Sequence, residues 1–240
     1  MNKAASRGPA RVDLLQSLSG LLLVLFIWGH MFFESSILLG KDAMLWVTRM
    51  FEGAHLFGRP YPILVSLAAG VVLALLALHA LLALRRFPAD YRQYRALKRH
   101  MRDLKHTDTR LWYIQVVSGF MLFFLAGAHL LVVLVQPDNI GPYASSDRIW
   151  SGRFWILYAL LLPVVHAHAA IGIDRLAIKW GPFPAARMGL WRGRLKLVLC
   201  CIFAFFMCLG TASLATYMTI GAGHADRAGE RYHGNVAEAR

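Results

Sequence analysis

The stretch LWYIQVVSGFMLFFLAGAHLLVVLV, residues 111–135, runs for 25 residues without an aspartate, glutamate, lysine or arginine. A helix needs roughly 20 apolar residues to cross a bilayer, so this stretch is long enough to span one. Four other apolar stretches have similar lengths, at residues 14–39, 63–84, 154–178 and 195–220. The sequence therefore predicts an all-α membrane protein, a bundle of five transmembrane helices.

The composition agrees with this fold class. Of the 240 residues, 58% are hydrophobic and 16% charged, and the mean hydropathy is +0.49. These values exclude a disordered chain, a disulfide scaffold and most soluble enzymes. The longest connections between apolar stretches have about two dozen residues, which is too short for a separate soluble domain. We therefore expect one five-helix domain over residues 1–220 and a polar tail over residues 221–240.

The net charge of +13 does not indicate a nucleic-acid partner, because the basic residues lie between the apolar stretches. A cytoplasmic N-terminus places 18 of the 26 lysines and arginines on the cytoplasmic side, which satisfies the positive-inside rule. We expect a multi-pass protein of the cytoplasmic membrane, surrounded by the lipid bilayer, with its C-terminus in the periplasm. The first span has no small-residue cleavage site before the next loop, so it is interpreted as a retained helix.

The second connection, RRFPADYRQYRALKRHMRDLKHTDTR at residues 85–110, is dense in arginine and lysine. Two interpretations stay open: a solvated loop with lipid headgroups as partners, or a docking surface for a cytoplasmic subunit that supplies the soluble chemistry.

Cys200, Cys201 and Cys208 all lie in the fifth apolar stretch, without the spacing of a metal, haem-attachment or redox motif. We expect them to be packing residues.

Histidines inside the apolar stretches are candidate functional residues, because ionisable side chains are rare at that depth. At about 1.5 Å of rise per residue, the predicted topology places His30 and His129 in the outer third of the membrane. It places His79 and His168 in the inner third. Two neutral imidazoles that face each other across a bundle can provide both axial ligands of a b-type haem. Each pair is therefore a candidate site for one haem b.

The fourth apolar stretch also contains His166, which lies about 200° around the helix from His168 and cannot address the same haem. We choose His168 as the ligand because it lies deeper and matches the level of His79 better. The other histidines lie in loops or in the tail, where solvated surface positions are expected; they are His55, His100, His106, His224 and His233.

The first and third spans share a pattern of glutamine, serine and glycine, followed ten residues after the glycine by histidine. It comprises Gln16, Ser19, Gly20 and His30 in one span and Gln115, Ser118, Gly119 and His129 in the other. Helical periodicity turns both serines to the face of the following histidine, so we expect them to face the interior near the inner pair. Gly29, Gly127 and Gly172 could let a flat macrocycle approach the backbone, although ordinary small-residue helix packing is the alternative.

The motifs around these residues resemble the dihaem cytochrome b subunit of quinol:fumarate reductases and succinate dehydrogenases of the single-large-anchor type. The resemblance extends from residue 11 to residue 217. It is carried by HMFFESSILLG (30–40), MLWVTRMFE (44–52), FPADYRQY (87–94), DTRLWYIQ (108–115), QPDNIGP (136–142) and RLAIKWG (175–181). The resemblance implies five helices that hold an outer haem between His30 and His129 and an inner haem between His79 and His168.

The resemblance also implies roles for other side chains. Four residues are expected around the inner haem propionates: Gln16, Ser17, Trp112 and Lys179. Glu52 matches a glutamate that accepts a proton from menaquinol near the outer haem; the alternative is a solvated loop carboxylate paired with Arg49 or Arg59.

Members of the family can carry a proton-conducting glutamate two residues before the ligand of the fourth span. Here that position is His166, a candidate proton relay near neutral pH.

By resemblance, the partners are an iron-sulfur subunit that receives the electrons and a flavoprotein subunit that reduces fumarate, in a heterotrimer that could pair as a dimer. The same architecture would also serve succinate oxidation by quinone. Two other hypotheses stay open: a dihaem anchor for another oxidoreductase such as a hydrogenase or nitrate reductase, and a haem-free proton or solute transporter that uses the buried histidines and Glu52.

Overall fold

A computed structural model describes residues 8–85, 90–95, 99, 107–181 and 187–234. The described chain is helical, without a β-strand in these ranges. The helices are α1 (Gly8–Glu34), α2 (Lys41–Phe51), α3 (Ala54–Phe57), α4 (Ile63–Leu84), α5 (Thr107–Val135), α6 (Pro142–Trp150), α7 (Trp155–Trp180) and α8 (Met188–Gly223). Two short 3-10 turns follow α1 and α8, at Ser35–Leu39 and Ala225–Arg227.

Five of these helices, α1, α4, α5, α7 and α8, are long and apolar enough to cross a membrane, so the five predicted spans are confirmed. Helix α8 begins seven residues before its apolar stretch, and α1 begins six residues before its own. In α8 this polar extension is held by Arg192, which binds Asp108 of α5 and Asp174 of α7. The helices therefore continue beyond the apolar stretches that predict them.

The long helices pack in a ring. Helix α4 contacts α1 and α5, α5 contacts α7, and α7 contacts α8, while α1 closes the ring through contacts to both α7 and α8. The buried residues of α8 recur every three to seven positions along one face, including Phe206, Gly210 and Tyr217. A Cβ atom on Gly210 would lie 2.5 Å from Leu162 Cδ1, so a larger residue would force the Leu162 side chain to move. The short helices α2 and α6 cover the bundle where α1 ends, around a core that includes Ile37 and Met44.

The packing role expected for the cysteines is wrong. Cys200, Cys201 and Cys208 are unpaired thiols on the exposed surface of α8. They lie off the helix face that carries Phe206 and Gly210, so they point toward the surroundings of the bundle instead of its interior. Apolar length alone predicted that this helix spans the membrane, but it did not predict which side of the helix faces inward.

The tail also departs from expectation at one histidine. Residues 224–234 fold back against the bundle, and His224 is only 2% exposed. Its Nδ1 lies 2.9 Å from Asp147 Oδ1, and its ring stacks on Tyr143 with centroids 3.9 Å apart. The solvated position predicted for His224 is therefore wrong, since partners 77 and 81 residues away in sequence bury it. His55 and His233 are exposed as predicted, whereas His100, His106 and most of the 85–110 connection lie outside the described residues.

Candidate functional site

A central cavity of about 1270 Å³ lies within the helix ring. A pocket for one small ligand has roughly 300–1,000 Å³, so this cavity is larger than a single ligand requires. His30, His79, His129 and His168 all line it. We call its two ends the Lys179 end, where α1 begins and α7 finishes, and the Glu34 end, where α1 finishes.

The pair nearer the Lys179 end, His79 and His168, is held by serines. Ser19 Oγ lies 3.1 Å from His79 Nδ1, and Ser118 Oγ lies 3.0 Å from His168 Nδ1. Each serine hydroxyl donates its own proton to a carbonyl of its helix, Gln16 O in one case and Gln115 O in the other. The prediction that both serines face the interior near this pair is confirmed.

This network assigns the histidine tautomers. Because each serine hydrogen is used on a carbonyl, the serine oxygen accepts from the histidine, and Nδ1 carries the proton. Nε2 is then the nitrogen with a lone pair available. At His168 this nitrogen lies 3.2 Å from the amide Nε2 of Gln115, which donates to it. A proton on Nδ1 held by a fixed acceptor is the arrangement that orients a histidine for a metal through Nε2.

Glycines let these two rings lie close to the neighbouring helices. A Cβ atom at Gly20 would lie 2.8 Å from His79 Cε1, and one at Gly119 would lie 3.0 Å from His168 Cε1. The repeated Ser-Gly pair of α1 and α5 therefore provides both the acceptor for the ring and the space for it. By contrast, a Cβ at Gly29 or Gly127 meets no protein atom within 4 Å.

The pair nearer the Glu34 end, His30 and His129, has a ring separation that fits two histidines on one metal. The two ring centroids are 6.1 Å apart. For two histidines on one metal, the separation of the ring centres is the sum of two metal–nitrogen bonds and two distances from nitrogen to ring centre. With bonds of about 2 Å, this separation is roughly 6 Å. Tyr158 Oη lies 3.2 Å from His129 Nδ1, which leaves Nε2 of that ring as the metal-binding nitrogen.

Comparisons with known proteins identify the family of this chain. A family model described as succinate dehydrogenase/fumarate reductase transmembrane subunit matches residues 91–209. The fumarate reductase cytochrome b subunit of Wolinella succinogenes is 44% identical over 221 residues, covering 92% of this chain and 86% of that protein. That of Helicobacter pylori is 44% identical over 217 residues, covering 90% of this chain and 84% of that protein. The chain belongs to the succinate dehydrogenase/fumarate reductase transmembrane subunit family.

As a membrane cytochrome b subunit of this family, the chain is a multi-pass inner-membrane component of an electron-transport complex. Most of its predicted site residues come together: the four histidines line the cavity, and so do Gln16, Ser17, Trp112 and Lys179. Lys179 Nζ donates to Ser17 Oγ at 3.2 Å and to the carbonyl of Asp13 at 3.1 Å. These contacts join the end of α7 to the start of α1 and place a positive charge at that end of the cavity.

Glu52 does not line the cavity, although its neighbour Phe51 does. It lies at the C-terminal end of α2, half-buried, where its backbone carbonyl accepts a hydrogen bond from the amide of Tyr61. Burial raises the pKa of the Glu52 carboxyl; Arg231 of the tail and Arg49 oppose the rise, and Asp138 adds to it.

His166 faces away from the cavity, toward α8. It is 2% exposed, and its ring stacks on Phe206 with centroids 5.0 Å apart and planes 5° apart. His166 Nε2 is buried without a hydrogen-bond partner. His168 lines the cavity and His166 does not, which agrees with the expectation that the two histidines address different surroundings.

Sequence reasoning missed several cavity-lining residues near the histidines, among them Gln115 as a partner of a histidine, Arg148 and Tyr158. Gln115 Oε1 and Arg148 Nε are buried without hydrogen-bond partners. A guanidinium is a natural partner for a carboxylate, and haem b carries two propionates, so Arg148 and Lys179 fit such a group at opposite ends of the cavity. Arg148 could have been noticed as one of only two basic residues between the third and fourth apolar stretches.

Proposed function

We propose that this chain is the membrane anchor of a menaquinol:fumarate reductase and binds two b-type haems. His30 and His129 would hold the outer haem iron, and His79 and His168 the inner one. The observation that carries the proposal is the pair of serine contacts, because they leave Nε2 of His79 and His168 as the ligating nitrogens inside one cavity. When bound, the haems supply one-electron redox centres across the membrane.

The protein's own residues supply the surroundings of these groups. Gln16, Ser17, Trp112 and Lys179 would surround the inner propionates at the Lys179 end, which we place on the cytoplasmic side. Side chains of α1, α4, α5 and α7 line the apolar middle of the cavity. Electrons would leave at that side to an iron-sulfur subunit, and a flavoprotein subunit would reduce fumarate. Operation in the opposite direction, from succinate to quinone, uses the same residues.

Glu52 is the proposed proton acceptor for menaquinol at the outer side. Oxidation of a quinol releases protons from its hydroxyl groups, so a carboxylate must be within reach to receive them. The raised pKa of Glu52 brings the carboxyl closer to neutral pH, where an acceptor can both take and release a proton.

His166 is a proposed proton relay, since its buried ring has a nitrogen without a partner in the middle of α7. The test is charge movement in proteoliposomes that contain the whole complex. His166→Ala should alter charge movement during quinol oxidation; unchanged oxidation together with unchanged charge movement would refute the relay.

Haem quantitation combined with a reduced-minus-oxidised spectrum tests the proposed function. The purified complex should contain two haem b per chain. His129→Ala and His79→Ala should each contain one, and the haem that remains should differ between the two variants. A colourless wild type from a host that makes haem would refute the proposal and favour a haem-free transporter. Recovery of a hydrogenase or nitrate reductase with the chain, instead of an iron-sulfur and a flavoprotein subunit, would favour another respiratory anchor.

A further inference from the structure

One carboxylate, that of Glu34, lines the end of the cavity where α1 finishes. Among the described residues, three acidic side chains line the cavity: Asp13, Glu34 and Asp108. Asp13 pairs with Lys179 at 3.5 Å, and Asp108 pairs with Arg192 at 2.6 Å, both at the Lys179 end. Glu34 therefore stands apart from the other two, beside the proposed outer haem site.

The position of Glu34 along α1 brings it to that site. It follows His30 by four residues, and residues so spaced lie on the same helix face with Cβ atoms about 5–6 Å apart. Tyr217 Oη lies 3.2 Å from Glu34 Oε2 and 3.2 Å from the Glu34 backbone oxygen. Tyr217 is 3% exposed and belongs to the core that it forms with Ile37, Met44 and Ile149, so the carboxylate is held by a rigid partner.

Other groups at this end complete the electrostatic surroundings. The titratable and charged side chains that line it are His30 on α1, His129 on α5, Arg148 on α6, Tyr158 on α7 and Tyr217 on α8. Helix α2 presents apolar side chains and Thr48 there, and α4 presents only apolar ones. Arg148 is the permanent positive charge of the set. In a cavity of low dielectric, a change of charge at the His30–His129 pair acts strongly on a carboxylate one helical turn away.

We propose that Glu34 binds one proton when an electron arrives between His30 and His129, and releases it when the electron leaves. This inference rests on the proposed function, because it requires the outer haem. For the one electron that a haem held by His30 and His129 would accept, the Glu34 carboxylate gains one proton from the aqueous phase at the outer side, and the net charge at this end of the cavity is unchanged. Tyr217 is a positioning residue for Glu34, since its hydroxyl lies within hydrogen-bond distance of the carboxylate.

Redox titrations of the purified complex, followed by optical spectroscopy at several pH values, test this inference without relying on activity. One proton taken up per electron changes an equilibrium constant tenfold per pH unit, which for a one-electron couple is about 59 mV. In the wild type the midpoint potential of the outer haem should fall with rising pH by up to about this amount per unit. In Glu34→Gln the potential should be raised and this pH dependence lost, because the charge that opposes reduction is removed.

The controls separate the outcomes. Glu230→Gln removes an exposed carboxylate of the tail and should keep the wild-type slope; Glu34→Asp should keep most of it. Tyr217→Phe, which removes the hydroxyl that holds the Glu34 carboxylate, should keep two haems and change the slope. A Glu34→Gln complex that holds two haems and keeps the wild-type potential and slope would overturn the inference and leave the proposed function standing. A wild type without two haems would instead remove the proposed function.

Discussion

Ser118 Oγ lies 3.0 Å from Nδ1 of His168, a residue 50 positions further along the chain. The contact joins α5 to α7 beside the central cavity, and Ser19 and His79 repeat it between α1 and α4 at 3.1 Å. In both cases a small hydroxyl, already donating to its own helix, fixes which ring nitrogen carries the proton.

Ser118→Ala removes the acceptor for the Nδ1 proton of His168. Loss of such a partner typically costs 10- to 100-fold in metal affinity, so we expect weaker retention of the inner haem and unchanged retention of the outer one. Haem per chain, measured spectroscopically through serial dilution of the purified complex, checks this. Thr219→Ala is the matched control, since it removes an exposed hydroxyl that bonds only its own helix. Equal haem loss from both variants would contradict the assignment.

Gly20→Ala should act on the same site by steric means. The added methyl would lie 2.8 Å from His79 Cε1, closer than carbon atoms approach, so the ring must shift from its place beside Ser19. We expect about half of the wild-type haem content, with the inner haem missing, and a normal amount of folded protein. Gly189→Ala, whose added methyl meets no atom within 4 Å, should bind haem as the wild type does. Full haem content in Gly20→Ala would show that His79 is not constrained there.

Much of this site follows from local sequence pattern, because helices are periodic. Apolar length predicts the five spans, helix rise places the histidines in two levels, and the 100° turn per residue directs Ser19 and Ser118 inward. Those three arguments need no knowledge of which helices are neighbours. They therefore succeed for the residues on α1, α4, α5 and α7 that line the cavity.

The features that were missed depend on contacts between distant segments. Glu34 lies inside an apolar stretch whose average hydropathy hides one carboxylate, and its partner Tyr217 is 183 residues away. His224 belongs to a polar tail, but its burial comes from Asp147 and Tyr143 across the bundle end. Cys200 and its neighbours could not be oriented because every face of α8 is apolar. Composition cannot distinguish a lipid-facing side from a packed one.

Asp174 should matter for stability more than its partner Asp108. Asp174 is 4% exposed and receives Arg192 at 3.2 Å, whereas the side chain of Asp108 is 51% exposed. Breaking a hydrogen-bonded buried charge leaves Arg192 partly uncompensated, so we expect Asp174→Asn to cost about 1–3 kcal/mol. Asp108→Asn should cost less, because solvent screens it. Thermal unfolding of the complex in detergent measures both; an equal loss would show that burial of Asp174 is not decisive.

The tail should set the pH dependence of quinol oxidation through Arg231. Burial raises the pKa of Glu52, and the Arg231 charge lowers it. The acceptor is the ionised form, so the rate should rise with pH through this pKa. Arg231→Gln raises the pKa further and should move the acid limb of the rate profile to higher pH. Steady-state oxidation of a soluble naphthoquinol by the complex measures this.

Two controls accompany that profile. Arg227→Gln changes the same charge in the same segment, but Arg227 pairs with Glu230 at 3.9 Å instead of acting on Glu52, so the limb should stay in place. Glu52→Gln should remove the limb together with most of the rate. A limb that persists in Glu52→Gln would assign the titration to another group.

Tyr232 should hold the tail against α2. Its hydroxyl donates to Asp42 Oδ1 at 2.8 Å, and this bond raises the pKa of Tyr232 to about 12. Since the folded pKa lies above the usual value, the stabilisation is complete below about pH 10 and is lost as pH rises through about 12.

Tyr232→Phe removes a bond worth about 0.5–1 kcal/mol near the surface, so trypsin should cleave at Arg227 and Arg231 about two to five times faster. The ratio should be the same at pH 7 and pH 8.5, because the phenol stays protonated at both. Tyr113→Phe, an exposed tyrosine of α5, should be cut at the wild-type rate. A Tyr232→Phe chain that resists trypsin like that control would mean that the other contacts of the tail, among them His224 with Asp147, are enough to hold it in place.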